Sequence, residues 1–316
     1  MKIMQQRREN KKLAGGMRSK KAQEEITCYL MLATQIIGFI LLSAYPIIWT
    51  FRWAWYSYQG VASEARFIGW QNFINMFSRD FTYWKVWLNT LIFTFCKIPI
   101  ELPIAMILAL LLNQKLKATG FFRTMYYLPN VVSIVIVGLI FSNMFSYWGY
   151  INNILLKLGW ISKEIDWFSN RWTATVVLVL SGVWNTFGVN VMYFLAALAN
   201  VPEELYECAR LDGASAWTVF RKVTLPMITP VFKIILLMSI VGTLGVNEHV
   251  LVLTNGAPQG QTFTVMSYLT KQFVPGFAST TTPNLGYGCA MSIVTTILFA
   301  FIAFVYNGFS KRMTQE

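Results

Sequence analysis

Lys97 and Glu101 stand four residues apart inside an otherwise apolar run. On a helix that spacing puts them on one face, where they can neutralise each other. An unpaired charge in hydrocarbon is costly, and charged groups there are usually functional. Two uses are open: a self-satisfied pair packed against another subunit, or recognition of a charged solute. A second constellation is Trp184, Asn185, Thr186 and Asn190, with Tyr193 a turn further on, joined by Asn247 and Glu248. Rings can cover the apolar face of a sugar while amides and hydroxyls meet its hydroxyl groups. The same side chains also bond neighbouring helices in membrane bundles. Metal and thiol chemistry find no support. His249 is the single histidine, and Cys28, Cys96, Cys208 and Cys289 are scattered without paired spacing, which reads as packing. A phosphate-binding G-x-x-x-x-G-K-[ST] loop is absent from the sequence.

Such side chains need elements that hold them at depth. Of the 316 residues, 55% are hydrophobic and 13% charged, well below the roughly 25% charged of a soluble domain. Apolar runs of about 20 residues, enough to cross hydrocarbon, recur along the chain. Six spans are expected, near 28–51, 86–112, 125–146, 172–198, 226–247 and 287–309: an all-α membrane protein. The short alternating segments of a β-barrel are missing. The first run is too long for a cleaved signal and lacks a small-residue cleavage site.

An even number of spans puts both termini on one side. Of the Lys and Arg residues outside the spans, sixteen fall on the terminal side and eight opposite, which places the termini in the cytoplasm. Eight of the sixteen lie in the first 21 residues, so the net charge of +12 is a topology signal and not a nucleic-acid arm. Lys233, a turn or two into the fifth span, is expected to snorkel to the cytoplasmic interface. The aromatics of the external loops, among them Trp53, Tyr58, Trp70, Trp87, Trp148, Trp160 and Trp172, read mostly as an interfacial belt.

Between the fourth and fifth spans lies EELYECARLDGASAWTVFRKVTLP, residues 203–226. Pro202 and three glutamates suit a helix start, Asp212-Gly213 a helix stop. A second short helix, roughly 215–222, presents Trp217 and Phe220, and Leu225-Pro226 is expected to end it and open the fifth span. A helix, glycine turn and helix of this polarity fits docking onto a partner, or an ordinary surface loop.

This stretch resembles the EAA signature of permease subunits in binding-protein-dependent type I ABC importers. Glu207-Cys208-Ala209 is followed after three residues by Gly213, and nine residues later by Val223-Thr224-Leu225-Pro226. Cys208 and Val223 replace the family's Ala and Ile, both with small apolar side chains. The wording ALANVPEELYECARLDGASAWTVFRKVTLP, with LTNGAP at 253–258, GFFRTMYYLPNVVS, LNTLIFTF and ALLLNQ, is similar to the carbohydrate-uptake, maltose-type branch. The resemblance covers most of residues 86–310.

It implies a basic tail at 1–27, a first span and external loop at 28–85, a permease core at 86–310 with coupling helices at 203–222, and a C-terminus at 311–316. It implies half of a translocation path for an oligosaccharide or related sugar in a bacterial inner membrane, with no enzymatic activity in this chain. Glu207, Ala209 and Gly213, then Leu211 and Asp212, would couple to an ATPase. The implied partners are a second permease in a heterodimer, two ATPase subunits and an extracytoplasmic binding protein. ATP and Mg belong to the ATPases, and this chain binds no cofactor. An ion- or proton-coupled secondary transporter is the alternative; it would need a relay of carboxylates or histidines, and Glu101 alone is none. A membrane enzyme would need titratable groups clustered at one membrane face, and none is evident.

Overall fold

The apolar runs fold as helices in the computed structural model, which describes residue 23 and residues 25–114, 118–274 and 284–312. Most of the basic tail, Lys115, Lys117 and residues 313–316 lie outside the described residues. In chain order come α1 (Glu25–Trp53), two short antiparallel strands β1 (Tyr56–Ser57) and β2 (Arg66–Phe67), α2 (Gln71–Ser78), α3 (Phe81–Leu112), α4 (Thr119–Val131), α5 (Ile134–Met144) and α6 (Tyr150–Lys157). Then follow α7 (Arg171–Ala199), α8 (Glu203–Leu211), α9 (Ala216–Leu244), α10 (Glu248–Leu253), α11 (Val265–Phe273) and α12 (Leu285–Arg312). Among the described residues, α1, α3, α7, α9 and α12 are each long and apolar enough to cross a membrane, and α4 with α5 makes a sixth only as a bent pair.

That pair corrects the expectation of a straight third span. α4 and α5 meet at 91°, because Val132 and Ser133 leave the helix for extended backbone. A break at membrane depth survives only where protein satisfies the freed backbone groups. Here Asn185 of α7 donates from Nδ2 to the Pro129 carbonyl oxygen at 2.8 Å. α7 comes that close because Gly188 has no side chain: a Cβ there would overlap the Tyr126 carbonyl.

The fifth span differs too. Leu225-Pro226 does not separate two helices; α9 runs on from Ala216 to Leu244 through one π-helical turn at Phe220–Thr224. Proline lacks an N–H and crowds the carbonyl four residues back. A wider turn just before it relieves that crowding, with Leu225 donating to the Phe220 carbonyl. α1 does the same, its π turn at Ile40–Ala44 lying just ahead of Pro46.

Three packed cores hold the bundle. One joins α3, α7 and α9 through Leu102, Met106, Phe194, Leu198 and Ile235 near the end that carries α8. A second joins Val86, Phe93, Val177 and Val183 to Val250 and Leu253 of α10. The third gathers Trp53, Met76, Tyr83, Trp87 and Met291 at the end opposite α8. There the belt reading fails for Trp53 and Trp87, which are buried together with Tyr83, and the Trp53 ring stacks on Tyr58 at 4.0 Å. The segment after α1 folds back over these rings, fastened by Asn72 to the carbonyls of Ala54 and Tyr56. Trp70, Trp148, Trp160 and Trp172 remain exposed.

Two smaller expectations change as well. Lys233 does not snorkel: it is buried, and its Nζ donates to the Ser310 carbonyl in the last turn of α12 at 2.7 Å, where helix carbonyls lack helical donors. Of the cysteines, Cys289 alone is buried, while Cys28, Cys96 and Cys208 face outward.

The contact at Gly188 makes a test. Gly188→Leu should destabilise the fold by about 1–3 kcal/mol, the usual cost of overpacking, seen as a lower unfolding midpoint in detergent. Gly308→Ala, where an added Cβ meets nothing within 4 Å, should leave that midpoint unchanged or slightly higher. Equal midpoints for the two variants would refute the close approach of α7 to α4.

Candidate functional site

Halfway along α3, α7 and α9, between the first two cores, the helices part around a cavity of about 480 Å³. Its wall includes Phe93, Lys97 and Glu101 from α3, Asn130 and Ile134 from the α4–α5 bend, and Asn185, Thr186, Asn190 and Tyr193 from α7. Met238, Ser239 and Thr243 of α9 close another side, with Asn247, Glu248 and His249 at the start of α10.

The pair expected from spacing is formed. Lys97 Nζ lies 2.6 Å from Glu101 Oε2, both side chains nearly inaccessible. This chain's own helices enclose it. The second carboxylate oxygen, Glu101 Oε1, accepts from Thr186 Oγ1 at 2.6 Å and from Asn190 Nδ2 at 2.7 Å. Lys97 Nζ also reaches Thr243 Oγ1 of α9 at 3.4 Å. One carboxylate on α3 thereby gathers α7 directly and α9 through the lysine. Each lone charge would be prohibitive in this medium, whereas a pair with its remaining hydrogen-bonding capacity filled is tolerable.

The remaining candidates separate by role. Asn185 lines the cavity, but its amide is occupied by the α4–α5 bend. Trp184 is absent from the wall and packs its ring 5.8 Å from Phe141. Tyr193 lines the cavity and is partly exposed. Asn247 donates from Nδ2 to Thr270 Oγ1 at 2.9 Å and leaves its Oδ1 without a partner. Glu248 is exposed on the wall.

Sequence reasoning passed over His249, Thr243, Ser239 and Asn130. His249 was weighed only as a metal ligand; it is buried, with Nε2 2.6 Å from Ser181 Oγ, and fastens α10 to α7. Ser239 and Thr243 carried a usable signal, two hydroxyls four apart on an apolar helix. Asn130 carried none, since only the bend turns it to the cavity.

The loop with the EAA pattern is a separate structure. α8 buries none of its residues, with Glu207 exposed and Leu211 87% exposed. It ends in a Schellman turn, Gly213 N–H donating to Arg210 O and Ala214 N–H to Ala209 O, both at 3.0 Å. Gly213 takes φ +71°, a conformation that costs other residues. Ser215 then caps α9 by accepting from the Thr218 N–H, and Thr224 Oγ1 donates to Tyr206 Oη at 3.3 Å, tying α8 to the span.

Residues 101–315 match the family model described as binding-protein-dependent transport system inner membrane component. The chain is 32% identical over 293 residues to the lactose transport system permease protein LacF of Rhizobium radiobacter, covering 91% of this chain and 95% of that protein. It is 35% identical over 282 residues to the arabinooligosaccharides transport system permease protein AraP of Bacillus subtilis strain 168, covering 88% and 86%. Its fold is also that of a chain in the crystal structure of a bacterial ABC transporter involved in the import of the acidic polysaccharide alginate. There the TM-score is 0.79 at 24% identity, over 93% of this chain and 98% of that one. The chain belongs to the family of binding-protein-dependent transport system inner membrane components.

The buried pair supplies the prediction. Lys97→Met alone leaves Glu101 charged and without its cation, and should cost about 3–5 kcal/mol. The double variant Lys97→Met/Glu101→Gln keeps an acceptor for Thr186 and Asn190 and should recover most of that loss. Chemical unfolding of the purified variants measures both, and a double variant as unstable as the single one would contradict the pairing.

Proposed function

From this membership we propose that the chain is the permease subunit of an ATP-driven importer, forms half of the path for an oligosaccharide or related sugar, and couples to partner ATPases through residues 203–222. The observation that carries the reading is α9. It begins at the exposed loop and continues for 29 residues, about 43 Å at 1.5 Å per residue, to the cavity wall at Met238, Ser239 and Thr243. A push on the loop is delivered to the cavity through one continuous helix, the kind of rigid-body switching that alternates access.

Several features support docking at the loop. Glu203 and Glu204 in the first turn of α8 and Arg210 in its last complement the helix dipole, so the helix can stand clear of the bundle. Leu211 offers an apolar side chain at its free end. We assign Glu207, Ala209 and Leu211 to the ATPase contact, with Asp212 and Gly213 setting the turn.

The loop would face the cytoplasm with both termini, in agreement with the two-to-one basic bias, in a bacterial inner membrane crossed several times. The cargo class rests on the relatives named for lactose and arabinooligosaccharides, and on a wall of amides, hydroxyls and an aromatic ring. Asn190, Tyr193, Asn247 and Glu248 are the path residues in this reading, with Asn185 on the wall holding the α4–α5 bend and Trp184 behind it. A second permease of the same family would complete the path, two ATPases would hold ATP and Mg, and a binding protein would deliver the sugar from outside. A proton-coupled transporter fits less well, because Glu101 already accepts from Lys97, Thr186 and Asn190.

Glu207→Lys or Gly213→Val should leave the protein in the membrane, cut ATP-dependent sugar uptake by about tenfold or more, and release the ATPase subunits during purification. Unchanged uptake with the ATPases still bound would overturn the coupling assignment.

A further inference from the structure

The ionised side chains on the cavity wall are Lys97, Glu101 and Glu248, one cation against two carboxylates. The cation is already committed: Lys97 is 6% exposed and holds Glu101 and Thr243. Several α7 side chains are engaged as well, Thr186 and Asn190 with Glu101 and Asn185 with the Pro129 carbonyl. The unpaired charge on the wall is of the opposite sign. Glu248 is exposed on the wall and makes no hydrogen bond or ion pair among the described residues. Beside it in sequence, Asn247 has a buried acceptor oxygen with no partner. What this wall lacks is an unpaired cation, and a carboxylate is acceptor-only.

We propose that this half of the path selects uncharged, hydroxyl-rich solutes and rejects acidic ones, with the exposed Glu248 carboxylate as the selecting group. The inference rests on the importer reading above. A neutral sugar offers hydroxyl donors to the exposed Glu248 carboxylate. A uronate brings a second negative charge to Glu248 and finds Lys97 already paired. Its carboxylate finds no unpaired cation on the wall to offset the hydration it gives up. Selection by a group left unpaired with the wrong ligand is more discriminating than selection by shape alone.

The test uses the complete importer in liposomes, with ATP-dependent uptake of labelled arabinotriose and labelled trigalacturonate measured side by side. The binding protein is the same throughout, so any change in the ratio belongs to this chain. The wild type should favour the neutral trisaccharide. Glu248→Gln should shrink that preference about tenfold, Glu248→Lys should shrink it further, and Glu248→Asp, which keeps the charge, should retain it. Trigalacturonate entering the wild type as fast as arabinotriose, or a ratio unmoved by Gln and Lys, would overturn the selection while the importer reading stands. No ATP-dependent uptake of either sugar would overturn the importer reading itself, and this inference with it.

Discussion

The arrangement of the bundle depends on the requirement that a charge inside hydrocarbon be answered. Glu101 is 1% exposed, and a carboxylate there is admissible only if every strong acceptor position is filled. Its partners are drawn from two helices, and through Lys97 from a third. Apolar side chains from different spans resemble lipid tails too closely to specify how helices meet. The polar network supplies the direction that apolar contact lacks. It sits where α3, α7 and α9 part, so the group that joins the helices also forms part of the cavity they enclose.

The same requirement applies to the backbone. α4 and α5 break at nearly a right angle, and the carbonyl of Pro129 is answered by Asn185. That bond explains why an amide in the middle of the fourth span is a structural fastener, although its composition suits a sugar site equally well. At the other end of α7, Asn89 accepts from Arg171 and donates to the Phe263 carbonyl, while Thr90 accepts from the Val265 N–H. Irregular segments at depth are held by side chains from straight helices. The rigid helices thereby become the frame against which α10 and the segment before α11 are placed.

The loop at 203–222 obeys the reverse logic. It buries nothing of α8, and its conformation is determined locally by a first turn rich in acid, a Schellman turn at Gly213 and the Ser215 cap. Local determination lets it keep its shape while standing clear of the bundle. It is linked to the interior by the covalent continuity of α9, softened at a single π turn, and by the Thr224–Tyr206 hydrogen bond.

These two logics divide what could be read without coordinates. Spans were legible because a bilayer imposes length and apolarity on each segment by itself. The Lys97–Glu101 pair was legible because both members share one helix face, and the turn at Gly213 because its determinants lie within a dozen residues. Family resemblance rested on that stretch together with LTNGAP, GFFRTMYYLPNVVS, LNTLIFTF and ALLLNQ, each of them contiguous. The bend between α4 and α5, the continuity of α9 through Pro226, the burial of Trp53 and Trp87, and the division of Asn185 from Asn190 depended on residues far apart in the chain. Whether an amide in a span fastens a neighbour or faces a cavity is decided by which group lies opposite it. Chain neighbours determine the supply of donors and acceptors; only the packed helices determine which of them remain free.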